Sequence, residues 1–126
     1  MTFFFDHNLP ACVADALTCL GIPATHLAKE GFPNDTSDEV WMLAAADRGY
    51  IVVTRDRSIY KRAAQRQLYR QLALRGPFLG PAFSRMRLRD LAKWLLWHWE
   101  KVEEVMRVAE PGDAYLLHQK GRLERL

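Results

Sequence analysis

The amino-acid sequence predicts an α/β fold in which helices cover both faces of a mostly parallel sheet. Three observations carry this. Phe3-Phe4-Phe5 and Tyr50-Ile51-Val52-Val53 are short, unbroken apolar runs, the pattern of strands buried on both faces. Stretches with apolar residues three or four apart alternate with these runs, and strand–helix alternation implies a parallel sheet. The 126 residues, 49% apolar and 26% charged, suit one folded domain over 1–126 with a core that needs no disulfide.

The elements follow in order. Residues 2–5 form a strand that stops at Asp6. Pro10 opens a helix with Asn8 as its cap; Val13, Leu17 and Leu20 mark its buried face and Gly21 ends it. Ala24–Leu27 is a second short strand, followed by a polar loop over 28–37. Ser37 caps a helix that carries Asp38 and Glu39 in its first turn and ends at Gly49. Residues 50–54 are the third strand. Ser58 caps a third helix from Ile59 to Leu74, ended by Gly76-Pro77, and Phe78-Leu79 is a fourth strand. Leu88, Leu91, Leu95, Trp99, Val102 and Met106 mark one long amphipathic helix over 86–108. Beyond Pro111-Gly112, residues 114–118 and 122–126 form a hairpin that turns at Lys120-Gly121.

Composition excludes several classes. No stretch approaches the roughly 18 apolar residues of a membrane span, and the start lacks the basic and cleavage segments of a secretory signal. Cys12 and Cys19 are seven apart on a helix, about 10 Å along its axis, too far for a bridge. They read as two small buried thiols of a reducing, cytoplasmic compartment. Net charge is +3, but unevenly spread: residues 1–54 carry two basic and seven acidic side chains, and residues 55–93 carry eleven basic and two acidic. An acidic pole beside a basic, polyanion-binding face is one reading; a solvated basic helix is the other.

Three carboxylates fall at one rim of such a sheet. Asp6 follows the first strand, Asp56 lies two residues past the third, and Asp38 opens the helix leading into the third. In parallel sheets, sites form beyond the carboxyl ends of the strands. Unpaired carboxylates held together raise one another's pKa, and a divalent cation relieves that repulsion. Mg2+ and Mn2+ take oxygen ligands, activate water and stabilise charge on phosphate during in-line displacement. That chemistry suits phosphodiester hydrolysis. Each acid also has a plain structural reading: Asp after a strand is a common turn residue, and Asp38 and Glu39 suit a helix N-terminus.

The runs Phe5-Asp6-His7-Asn8-Leu9-Pro10, Asp35-Thr36-Ser37-Asp38-Glu39-Val40-Trp41 and Ile51-Val52-Val53-Thr54-Arg55-Asp56 resemble the PIN-like domains, most of all the short VapC-type toxins of prokaryotic toxin–antitoxin operons. The resemblance implies a three-layer α/β/α fold and a Mg2+- or Mn2+-dependent endoribonuclease. It puts Asp6, Asp38 and Asp56 on the metal-binding acids and Thr54 on the supporting hydroxyl position. Many relatives carry a further acid just after Thr-x-Asp, where this chain has Arg57 and Ser58; Asn8, Asp35 or Glu39 would then complete the site. That departure leaves open a PIN-like module that binds RNA or protein without cutting it.

Arg62, Arg66 and Arg70 are spaced four apart and line one helix face, with Arg55, Arg57 and Lys61 preceding them near the acidic rim. Arginine forks match phosphate geometry, so the stripe is expected to hold RNA backbone. Expected partners are the RNA substrate, an antitoxin protein and a second copy of the chain, with no membrane.

Overall fold

A computed structural model describes residues 1–126 as a mixed α/β protein. The strands are β1 (Phe3–Phe5), β2 (Ala24–His26), β3 (Ile51–Val53), β4 (Gly76–Leu79), β5 (Ala114–Leu117) and β6 (Leu123–Arg125). The helices are α1 (Ala11–Cys19), α2 (Asp38–Asp47), α3 (Ser58–Lys61), α4 (Ala63–Gln71) and α5 (Leu88–Val108), with a 3₁₀ segment over Pro81–Arg85.

β1 lies between β2 and β3, parallel to both. β5 lies between β4, parallel to it, and β6, antiparallel. The two ladders meet at β3 and β4. There the Val52 N–H donates to the Arg75 carbonyl at 3.0 Å, the Leu79 N–H donates to the Thr54 carbonyl at 2.8 Å, and Thr54 and Phe78 form a parallel bridge. The order across the molecule is thus β2-β1-β3-β4-β5-β6, with only the last strand reversed. Gly76 makes the junction possible: a Cβ there would sit 1.7 Å from the Val52 carbonyl oxygen, so only glycine lets the two backbones approach so closely.

Alternation along β1 divides the core between the two faces of the sheet. Phe3 and Phe5 join Val13, Leu17, Leu95 and Trp99 from α1 and α5 on one face. Phe4 joins Trp41, Met42 and Tyr69 from α2 and α4 on the other. Phe3 meets Trp99 edge-on at 4.7 Å, and Phe4 stacks on Trp41 at 5.6 Å. This is the three-layer arrangement that the resemblance implies. α5 buries Leu91, Leu95, Trp99, Val102 and Met106, as its spacing predicts.

Four expectations need correction. The third helix is two: Arg62 is extended (φ −75°, ψ 125°) and separates α3 from α4. Gly76 and Pro77 belong to β4, and the helix ends earlier, at Gln71, with Ala73 just beyond it at φ 55°. Neither Asn8 nor Ser37 caps a helix through its side chain; Asn8 turns back to Asp6 instead. Cys12 and Cys19 are exposed rather than buried. No helix is long and apolar enough to cross a membrane.

Candidate active site

The chain crosses from one side of β1 to the other between β2 and β3, so the carboxyl ends of β1 and β3 flank the topological switch point of the sheet. Asp6 follows β1 there, and Thr54 and Asp56 follow β3.

Thr54 joins the two acids. It is fully buried, as is Asp6. Its hydroxyl donates to Asp6 Oδ2 at 2.5 Å and accepts the backbone N–H of Asp56 at 2.9 Å. Asn8 adds two donors to Asp6, its backbone N–H to Oδ1 at 3.2 Å and its side-chain amide to Oδ2 at 3.3 Å. Burial pushes the Asp6 carboxyl above its ordinary range, against the pull of Thr54, His7 and Asn8. All three hydrogen-bond donors are neutral, and Asp6 forms no ion pair. A buried carboxylate in that state lacks a countercharge.

Asp56 is half-buried, and its Oδ1 accepts the N–H of Ser58 at 3.0 Å and the Ser58 hydroxyl. Its other oxygen takes no protein hydrogen bond, and it lines an open pocket of about 350 Å³ with Asn8, Arg55 and Ser84. Asp6 is fully buried and does not line that pocket; the oxygen-bearing side chains that do, those of Asp56, Asn8 and Ser84, are of the ligand type a hard divalent cation takes.

Asp38 stands apart from this arrangement. It opens α2 on the same side of the sheet, but its Oδ1 accepts the Trp41 indole N–H at 3.0 Å. The structure gathers no group of three or more His, Cys, Asp and Glu side chains able to hold a metal ion, so the expected convergence of Asp6, Asp38 and Asp56 is not formed. The cause is local: the indole of a fully buried tryptophan needs an acceptor, and Asp38 supplies it. Asp35 and Glu39 are exposed and their side chains form no hydrogen bond or ion pair that would tie them to the site.

The basic residues also separate. Arg55 donates from Nε to the Asn8 carbonyl at 2.9 Å, with a second bond from its Nη2, so it latches the Asp6–Asn8 loop onto the end of β3 rather than standing free for RNA. Arg57 and Arg66 are half-buried, and Lys61 and Arg62 are exposed. Arg70 lies over the Tyr60 ring at 5.6 Å and donates to its hydroxyl at 2.9 Å. α4 carries the chain from the end of β3 back to the start of β4, so its arginine stripe leads away from the acidic rim.

Two participants escaped the sequence reading. Ser84 forms a wall of the acidic pocket from the 3₁₀ segment, in a stretch without periodicity to place it. His26 ends β2 at the same rim; its Nε2 bonds to the Leu9 carbonyl at 2.7 Å and its Nδ1 accepts the Ala28 N–H at 3.0 Å, which pins the loop carrying Asp6 and Asn8. Its place at a strand end was the available signal.

The fold and the rim together define an open α/β protein with an acidic site at the switch point of its sheet. Over residues 1–80 the chain matches the family model described as PIN like domain, and it belongs to that family. The match takes in β1 through β4; α5 and the hairpin lie beyond it. Neither the curated proteins nor the solved structures compared with the chain gave a match. PIN-like domains are often nucleases and typically use divalent metals.

Proposed function

We propose that this chain is a Mg2+- or Mn2+-dependent endoribonuclease that hydrolyses RNA phosphodiesters, and that it is the toxin half of a toxin–antitoxin pair of VapC type. The observation that carries the nuclease reading is the Thr54 bridge, which ties a buried, uncompensated carboxylate to a second acid beside an open pocket. Asp6 and Asp56 would hold the cation, with Asn8 completing the oxygen set. When bound, the cation supplies water activation and neutralisation of charge at phosphorus. Thr54 and Asn8 orient Asp6, Ser58 orients Asp56, and Arg55 keeps the two loops in register. A protein partner is supported by Trp97, which is 84% exposed on α5.

The test is cleavage of an oligoribonucleotide with Mn2+, with and without EDTA. Wild type is expected to cut, EDTA to stop it, and Asp6→Asn or Asp56→Asn to lower the rate at least about a hundredfold. Equal activity in all three proteins, or indifference to EDTA, overturns the metal mechanism. A second reading, an RNA- or protein-binding PIN-like module without catalysis, is favoured by the engagement of Asp38 with Trp41. It predicts RNA binding without cleavage and no heat of Mn2+ binding that depends on Asp6.

A further inference from the structure

The acidic pocket has a neighbour. A second pocket, of about 480 Å³, is lined by Pro81, Ala82, Ser84, Arg85 and Gln119. Ser84 lines both, so this second pocket, a groove between the 3₁₀ segment and Gln119, adjoins the Asp56 pocket across Ser84. Parallel strands put these parts together: the 3₁₀ segment follows β4 and Gln119 follows β5, at the same carboxyl rim as Asp56.

The only charged side chain lining the second pocket is Arg85. It is exposed and forms no ion pair or side-chain hydrogen bond. Within the basic segment Arg55 is engaged by the Asn8 carbonyl, Arg87 by Asp90 at 3.0 Å and Arg70 by Tyr60, whereas Arg57, Arg62, Arg66 and Arg89 are unpaired like Arg85 but do not line this pocket. Both walls of the groove are fixed to one residue of α5. Trp94 meets Phe83 edge-on at 4.7 Å and donates its indole N–H to the Gln119 carbonyl at 2.6 Å. Pre-formed walls lower the ordering cost of binding. A free guanidinium in a neutral, rigid groove beside an acidic centre suits an anion that is bonded to the group reacting at that centre.

We propose that this groove binds the strand flanking the scissile bond, with Arg85 on the phosphate adjacent to the one cleaved in single-stranded RNA. The proposal rests on the ribonuclease reading for the identity of the strand. The pocket that carries Arg85 is lined only by residues past the family match, which ends at residue 80, so it belongs to this chain's own C-terminal part.

The experiment is a double cycle on an oligoribonucleotide with one cleavage site. Wild type, Arg85→Ala and Arg85→Lys are each assayed on the natural strand and on strands with a neutral methylphosphonate at the adjacent phosphate on either side. Arg85→Ala is expected to raise KM about tenfold, the worth of one charge-assisted phosphate contact, with kcat within about twofold, as for uniform binding. The salt slope of log affinity is expected to fall by about 0.7, and Arg85→Lys to recover part of the loss. On one side only, the methylphosphonate is expected to weaken wild type and leave Arg85→Ala unchanged. If wild type cleaves and Arg85→Ala equals it, or the two penalties add in full on both sides, the groove inference alone is overturned. If the chain binds RNA without cutting, the same cycle read in Kd decides. If wild type neither binds nor cuts RNA, the ribonuclease reading falls and the groove inference with it.

Discussion

Replacing Thr54 by valine keeps the shape and removes one oxygen, which makes it a direct test of the bridge between Asp6 and Asp56. Two bonds go. The first is the hydroxyl donated to the buried Asp6 carboxylate at 2.5 Å, and a hydrogen bond to a charged group is worth about 1.5–3 kcal/mol. The second is the acceptor for the half-buried Asp56 N–H at 2.9 Å, worth about 1 kcal/mol. The expected loss is about 2–4 kcal/mol, or about 10 °C in Tm for a chain of this size. Thr54→Ser keeps the hydroxyl and loses one buried methyl, about 1 kcal/mol. Urea unfolding of the three proteins at pH 7 in EDTA measures the difference without reference to activity. The valine penalty shrinks toward acid pH, because the charge-assisted part of the bond ends once Asp6 is protonated. RNA cleavage is expected to survive in Thr54→Ser and to fall at least tenfold in Thr54→Val, since misplaced catalytic groups cost up to about a hundredfold. A valine variant as stable as the serine one at pH 7 refutes the reasoning.

The other expectations are structural and pH-linked. Gly76→Ala places a Cβ 1.7 Å from the Val52 carbonyl oxygen, so β3 and β4 must part and their three cross-strand bonds weaken; the loss is about 2–4 kcal/mol at about 0.5–1.5 kcal/mol per bond, and an unshifted urea midpoint would show that the strands do not pack so closely. For Asp6, burial raises the folded carboxyl above the ordinary 3.8, so the folded state holds that proton more tightly than the unfolded one. This linkage favours the fold fully below 3.8 and is lost as pH rises through the folded value. Asp6→Asn lacks that decline, so in EDTA its stability relative to wild type is expected to increase from pH 3.5 to 7.5; a difference independent of pH would mean that Asp6 is not desolvated.

Much of the framework was legible because one physical pattern governed each part. Phe3-Phe4-Phe5 read as a strand covered on both sides because every position is apolar, and Phe4 and its neighbours do face opposite layers. α5 was legible because its spacing repeats over six buried or flanking positions. The break at Arg62 was not, because nothing in Tyr60-Lys61-Arg62-Ala63 disfavours helix; the kink is a tertiary outcome, with Tyr60 turned onto Tyr69 and Phe78. Gly76-Pro77 misled for a related reason. The pair is a strong local stop signal, yet its lack of a side chain is used for the approach to Val52. At the site, strand-end position placed Asp6, Thr54 and Asp56 at one rim, whereas the partner that engages Asp38 lies three residues away in its own helix. Spacing located the backbone of each acid and could not say which hydrogen-bond donor would reach it first.

That competition bears on how the site works. Asp6 is surrounded by neutral donors that reduce the cost of burying its charge without cancelling it. Arg55, the nearest cation in sequence to Thr54, spends its guanidinium on the Asn8 carbonyl instead of the carboxylate. A protein selected for stability alone would gain by placing that guanidinium on Asp6 or by replacing Asp6 with an apolar residue. On the proposed nuclease reading, leaving Asp6 without an ion pair while its loop is tied in place from three directions, through Thr54, Arg55 and His26, would hold the site ready for a cation from solvent. The same logic places specificity elsewhere. If the chain binds RNA as proposed, Arg55 is committed to the loop, so discrimination among strands would fall to side chains outside the acidic pair, with Arg85 as the proposed first contact.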